Sequence, residues 1–331
     1  MKARRPLTRE EFVERILRGD RMVLAQAITL IESARGADRE LAEQIQEDCL
    51  PHSGNSIRVG ITGVPGAGKS CLIEALGGFL IEEQKQKVAV LAVDPSSQLS
   101  GGSILGDKTR MTALAQNEMA FIRPSPSRGS FGGVAQRTRE AMLLCEAAGY
   151  ENILVETVGV GQSETAVDEM VDFFLLIALA GAGDELQGIK RGVMELADVV
   201  AINKADGANV EAAERARAEA ENALHFFPGP GSGWTPRALS CSAQTGKGIG
   251  ELWACVKEHA ALTRNNGWLS AWRREQTRRW MHEIIEQGLR QGFESHAGVR
   301  ERMKELEREV VEGRTTSFKA ARMLLEIYSS E

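Results

Sequence analysis

Glycine, lysine and serine fall into one dense pattern at Gly63-Val64-Pro65-Gly66-Ala67-Gly68-Lys69-Ser70. The spacing is Gly-x-x-x-x-Gly-Lys-Ser, and the chemistry it suits is the grip of a polyphosphate. Gly63, Gly66 and Gly68 reach backbone angles that other residues avoid, so successive amides can turn inward around phosphate oxygens. Lys69 is placed to reach the β- and γ-phosphates of a nucleoside triphosphate, and the Ser70 hydroxyl to ligate Mg²⁺. An apolar run, 57–62, precedes the motif and a helix-like stretch, 71–80, follows it. That helix would aim its N-terminal dipole at the same anion. The plainer alternative, a Gly-rich turn capped by Ser70, does not account for the complete motif in its strand–loop–helix setting.

Other acids and amides fall where strands should end. Asp94 closes the run Val93-Asp94-Pro95-Ser96-Ser97, and a loop containing Gly101-Gly102 leads from it to Asp107. Two acids flanking such a loop suit a segment that orders around γ-phosphate and Mg²⁺, and equally an ordinary loop with an Asp helix cap. Glu156 ends the run Ile153-Leu154-Val155, with Gly159 three residues on, in Glu156-Thr157-Val158-Gly159-Val160-Gly161-Gln162-Ser163-Glu164. This is the pattern of the second acidic element of phosphate-loop enzymes, where the acid holds Mg²⁺ and the Gly amide senses γ-phosphate. The usual acid there is Asp; Glu156 is longer, and could instead orient the attacking water. Between 181 and 192 a glycine-rich stretch carries Lys190, either a nucleotide contact or a solvated helix-start cation.

Asn203-Lys204-Ala205-Asp206 follows the apolar run 199–202. An aspartate here can accept from both N1–H and the 2-amino group of guanine, a pair that adenine lacks, so Asp206 selects GTP and GDP over adenine nucleotides. Asn203 suits the O6/N7 side of the base. Lys204 can cover the ring and brace the phosphate loop. Further on, the backbone of Ser242 and Ala243, in Ser240-Cys241-Ser242-Ala243, can contact O6.

The elements that must position these groups alternate. Candidate strands at 57–62, 88–94, 119–123, 152–158, 173–180, 198–203 and 238–241 are separated by helical patterns. Several are apolar without alternation, as in strands covered on both faces. The expected fold class is therefore α/β: a mostly parallel sheet of a phosphate-loop GTPase, with ligands at the carboxyl ends of strands. Residues 1–50 read as an N-terminal helical subdomain, opened by a capping box at Thr8-Arg9-Glu10-Glu11, with Asp20 and then Asp38 as the next caps. The GTPase domain spans 57–262. Residues 228–236 look like a Pro/Gly surface loop holding Trp234. From 267 to 331 the chain is helical and charged, with an apolar stripe at Trp280, Met281, Ile284, Ile285 and Leu289 that must be buried somewhere.

A net charge of −6 argues against a general nucleic-acid binder, whose phosphate contacts need concentrated Lys and Arg. The five cysteines form no Cys-x-x-Cys pair, so neither a disulfide framework nor a zinc site is implied; each reads as a small buried residue in a reducing cytoplasm. The basic N-terminus runs into charged residues instead of an apolar core, unlike a secretory signal. The longest apolar run, 173–182, is too short to insert across a membrane.

Taken together, Gly-Val-Pro-Gly-Ala-Gly-Lys-Ser, Val-Asp-Pro-Ser-Ser, Glu-Thr-Val-Gly-Val-Gly-Gln-Ser-Glu, Gly-Ala-Gly-Asp-Glu-Leu-Gln-Gly-Ile-Lys and Asn-Lys-Ala-Asp resemble the MeaB-type GTPases, chaperones of adenosylcobalamin-dependent methylmalonyl-CoA mutase. Relatives of this type also carry an older label as kinases of a lysine/arginine/ornithine transport system. The resemblance spans nearly the whole chain. It implies that Asp94, Asp107 and Glu156 serve metal and water, that 181–190 is a nucleotide-responsive switch including Lys190, and that the C-terminal helices join a homodimer. Rival functions are a GTPase metallochaperone, a kinase of a transport receptor, and a scaffold that binds GTP without turnover. The metallochaperone would need a His-rich or Cys-x-x-Cys site, and the five histidines show no ligand spacing.

Overall fold

The computed structural model describes residues 5, 7–93, 111–124, 131–157, 163–180, 191–227 and 231–329. Asp94, Asp107, Gly159 and Lys190 lie outside these described residues. Seven strands form one sheet: β1 (Ile57–Gly63), β2 (Val88–Val93), β3 (Ala120–Arg123), β4 (Asn152–Thr157), β5 (Phe173–Leu179), β6 (Val199–Asn203) and β7 (Arg237–Ser240). Their order is β3-β2-β4-β1-β5-β6-β7, with every neighbouring pair parallel. All seven sequence-expected strands are present, each within a residue of its expected start. β4 and β6 are buried along their whole length, which explains the unbroken apolar stretches 153–155 and 199–202 within them: strands covered on both faces do not alternate.

β1 is the centre, paired with β4 on one side and β5 on the other. Chain connections diverge at this strand, so the carboxyl end of β1 is a crevice where an open parallel sheet binds ligands. Helix α4 (Lys69–Glu82) starts there. Leu72, Ile73, Leu76 and Leu80 on α4 are wholly buried in a core shared with Val59, Ile61, Leu175 and Trp253.

Before the sheet come α1 (Arg9–Leu17), α2 (Arg21–Glu32) and α3 (Gly36–Cys49). Thr8 and Glu11 cap each other's backbone at α1, and Asp20 accepts from the Met22 and Val23 amides at α2, as their residue types predict. Asp38 departs from expectation. The cap position is Arg35, three residues earlier, so α3 begins at Gly36, and Asp38 instead accepts from the Ser33 hydroxyl at 2.6 Å. Arg21 donates to the Asn117 carbonyl, and Arg123 pairs with Glu32, so α2 is tied to the β3 edge.

The chain divides into two compact units, Met1–Arg274 and Glu275–Glu331. The division falls inside one 28-residue helix, Trp268–Ser295. Its first two turns belong to the sheet unit: Trp272 donates to the Val171 carbonyl, and Arg273 pairs bidentately with Asp172 at 2.8 and 2.6 Å. Asp172 also accepts from the Arg58 amide at the start of β1. In the second unit, helices Ala297–Val311 and Ser317–Ser329 share a small core of Val299, Leu306, Ala320 and Leu324. Met281, Ile284, Ile285 and Leu289 are each about half exposed.

Candidate functional site

The phosphate loop leaves β1 through Gly63, whose φ of 154° and tight packing exclude a side chain: a Cβ there would lie 2.4 Å from the Ile177 carbonyl oxygen. The Ala67 amide closes a turn onto the Val64 carbonyl, leaving Pro65 and Gly66 exposed at the tip. Gly68, at φ 87°, begins α4. Lys69 is buried and folds back along the loop, donating to the carbonyls of Gly63 (2.7 Å) and Val64 (3.3 Å). A cation held at the hub of an amide-lined loop is what polyphosphate binding requires.

Ser70 and Glu156 meet beside this loop. Glu156 is paired in register with Ile61 of β1 and Ala92 of β2, which sets its carboxylate at the carboxyl edge of the sheet. The Ser70 hydroxyl donates to Glu156 Oε1 at 3.0 Å, and both side chains are buried. Two hard oxygen donors in contact at the mouth of a phosphate loop fit Mg²⁺, which selects oxygen ligands. One strand pair further, Thr157 donates to Thr62, fixing β4 against β1 at the same level.

The guanine set assembles at the ends of β6 and β7. Asp206 accepts a short hydrogen bond from the Ser242 hydroxyl, which fixes the orientation of its carboxylate. The Ala205 amide donates to the Cys241 carbonyl, locking the two loops together. Lys204 adopts a left-handed φ of 61° and donates from Nζ to the Gly66 carbonyl at 2.9 Å, so it braces the phosphate loop as its sequence position suggests. Asn203 does something the spacing did not show. Its Nδ2 donates to the Ala67 carbonyl at 2.9 Å and its Oδ1 accepts from the Ala243 amide at 3.1 Å. With 1% exposure it fastens the phosphate loop to the base loop, where the sequence suggested a contact with the base itself.

The structure therefore brings Gly63–Ser70, Glu156, Asn203, Lys204, Asp206, Ser242 and Ala243 to one edge of the sheet. A cleft of about 500 Å³ runs between the start of α4 and the base loops. Its wall includes Cys71, Glu74 and Ala75, which the sequence reading missed. Glu74 and Ala75 follow Cys71 by three and four residues along a helix, which places the three on one face and could have revealed them. Cys71 is the exposed member of the five cysteines, against the expectation that all are buried.

At the opposite, amino-terminal end of β6, Trp234 differs from the expected surface-loop residue. It is 5% exposed, because its indole N–H donates to the Asp198 carbonyl at 3.0 Å and its ring packs edge-on to buried His259. Burial holds His259 down to about 4, keeping the imidazole neutral.

A parallel sheet with a phosphate loop at its central strand and an anchored guanine-selecting aspartate two strands away defines a GTP-binding hydrolase, a phosphate-loop GTPase. The chain belongs to the MeaB family: residues 24–297 match the family described as "Methylmalonyl Co-A mutase-associated GTPase MeaB". It is 50% identical over 311 residues to a putative GTPase of Caulobacter vibrioides, covering 94% of this chain and 95% of that one. It is 44% identical over 335 residues to the mitochondrial methylmalonic aciduria type A homolog of Mus musculus, covering 97% and 80% respectively. A solved structure described as an LAO/AO transport system kinase superposes with a TM-score of 0.79 at 38% identity, covering 99% of this chain and 100% of that chain. Among the described residues no helix is long and apolar enough to cross a membrane.

Proposed function

We propose that this protein is a GTP-driven chaperone of an adenosylcobalamin-dependent methylmalonyl-CoA mutase, working as a cytoplasmic homodimer. GTP occupies the cleft with its phosphates on the amides of 63–70 and its base against Asp206, Ser242 and Ala243. Ser70 and Glu156 hold Mg²⁺, with Asp94 and Asp107 as the further acids. When bound, the ion neutralises charge on the β- and γ-phosphates. Lys69, drawn from the loop carbonyls, stabilises negative charge on the transferring phosphoryl group. Glu156 or Asp107 orients the attacking water. The Gly159 amide and Lys190 respond to the γ-phosphate, so that hydrolysis changes the surface offered to the mutase. The exposed apolar face at Met281, Ile284, Ile285 and Leu289 supports the dimer, because a stripe of that kind on a soluble helix seeks a partner.

The observation that carries the partner is the match of residues 24–297 to mutase-associated GTPases. The kinase name attached to the similar solved structure makes a different demand, transfer of labelled phosphate from ATP to a receptor protein, which Asp206 disfavours. The reading is tested by affinity purification of the chain loaded with GDP or with a non-hydrolysable GTP analogue. A cobalamin-dependent mutase retained by one nucleotide state more than the other supports it. Recovery of no such mutase in either state overturns it.

A further inference from the structure

One carboxylate in the cleft wall belongs neither to the phosphate grip nor to the guanine set. Glu74 lies one helical turn beyond Ser70 on α4, on the face shared by Cys71 and Ala75, and it borders the same cleft as Gly68, Asn203 and Asp206. Its position is held. Glu74 Oε1 accepts the backbone N–H of Ala113 at 2.8 Å. Ala113 sits in the short helix Thr112–Gln116, whose Leu114 packs on α4 so closely that a Cβ on Gly77 would lie 2.8 Å from a Leu114 methyl.

The cleft has phosphate chemistry at one end and guanine chemistry at the other. A nucleotide joins its phosphates to its base through the sugar, so the stretch of wall between the two ends faces the ribose. Ribose offers two hydroxyl donors, and an ionised carboxylate is an acceptor-only group with room for several hydrogen bonds, one of which Ala113 takes. Facing phosphate, the same carboxylate would be repelled. Facing the sugar, it makes a charge-assisted hydrogen bond.

We infer that Glu74 accepts a hydrogen bond from a ribose hydroxyl of the bound guanine nucleotide and is a sugar-reading residue of this site. The inference rests on the guanine-nucleotide reading above. Its consequence is selectivity for ribonucleotides, added to the base selectivity of Asp206 and independent of it.

The test is equilibrium binding of GTP, 2′-deoxy-GTP, 3′-deoxy-GTP and ATP to the full chain and to Glu74→Gln and Glu74→Ala. Gln keeps an oxygen for the Ala113 amide but replaces the second oxygen by a donor, so it spares the helix contact. Glu74→Gln therefore decides the matter if Glu74→Ala fails to fold. In the unmodified chain at least one deoxy analogue should bind about tenfold more weakly than GTP, the scale of a hydrogen bond to a charged group. In the variants that ratio should collapse to about twofold or less, while the preference for GTP over ATP stays. A residue that merely holds the 112–116 helix would weaken all guanine nucleotides together and leave the ratio unchanged. An unchanged ratio in Glu74→Gln, or equal binding of all three guanine nucleotides by the unmodified chain, overturns the inference. A chain that prefers ATP to GTP refutes the guanine reading itself, a separate and distinguishable outcome.

Discussion

Asn203→Ala is the sharpest perturbation of the site, because this side chain fastens two loops that must act on opposite ends of one ligand. The substitution strips the Ala67 carbonyl and the Ala243 amide of their partners. Leaving a buried polar group unsatisfied costs about 1–3 kcal/mol each, so about 2–6 kcal/mol is lost between folding stability and GTP binding. If about 2 kcal/mol of that falls on binding, the Kd for GTP rises roughly thirtyfold. Gly68→Ala attacks the same junction from the other side. A Cβ at Gly68 would lie 2.7 Å from Asn203 Nδ2, with the next neighbour, Lys204 Cε, at 3.9 Å. In the unmodified background Gly68→Ala should suffer both the clash and the strain of a left-handed backbone, about 1–2 kcal/mol for the strain. In the Asn203→Ala background the clash is gone and only the strain remains. The double variant should therefore be less damaged than the sum of the singles by about 1 kcal/mol or more. Titration with a fluorescent guanine nucleotide and urea unfolding, run on all four proteins, measure both parts. Costs that add to within about 0.5 kcal/mol, or Asn203→Ala binding GTP within about twofold of the unmodified chain, would refute the fastening role.

Three further outcomes are expected. Glu146 is buried against Arg58, Ser56 and the Gly54 amide; burial alone would raise its pKa, but the charge and hydrogen bonds of Arg58, with those of Ser56 and Gly54, carry it below the ordinary value. Glu146→Gln should thus lower unfolding free energy by about 3 kcal/mol at pH 7, read as a fall in the urea midpoint. Because the folded value lies below the unfolded 4.5, the stabilisation is present above that pH and fades as pH falls through it, so the gap between the two proteins should narrow in acid. Maleimide should add to Cys71 in the native chain and be blocked by GTP or GDP, since Cys71 lines the cleft while burial raises the thiols of Cys49 to about 11 and Cys241 to about 12; labelling unaffected by nucleotide would remove Cys71 from the ligand's reach. Lys69→Ala should keep the fold and lose GTP affinity by about tenfold or more, and GTP binding and turnover at the unmodified level would contradict the role given to this lysine.

Much of the sheet was legible in the sequence because fully covered parallel strands print as short unbroken apolar runs, and 153–155, 173–180 and 199–202 are such runs. The phosphate loop was legible because its backbone angles demand glycine at fixed places. What escaped were the pairings between distant segments. Nothing local in Asn203 says that both ends of its amide are used by Ala67 and Ala243, which meet it only once β1, β6 and β7 join one sheet with β5 between β1 and β6. Trp234 sits among Pro and Gly, a surface signature, yet its indole finds the Asp198 carbonyl just ahead of β6. Helix Trp268–Ser295 reads as one element, and its periodicity carries no mark of the unit boundary between Arg274 and Glu275. That boundary comes from Trp272 and Arg273, whose partners at Val171 and Asp172 are about a hundred residues away. Asp38 shows the limit of cap signals: a competing hydrogen bond from Ser33 left the helix free to start earlier.

The central claim is that a guanine-nucleotide cycle in this cleft serves a mutase. The most direct measurement is steady-state release of phosphate from GTP by the purified chain, alone and with increasing adenosylcobalamin-dependent methylmalonyl-CoA mutase, with ATP as control. Slow turnover of GTP alone, saturable acceleration by the mutase and no turnover of ATP are expected. Equal GTP turnover with and without the mutase, together with no complex between the two proteins in any nucleotide state, would contradict the account.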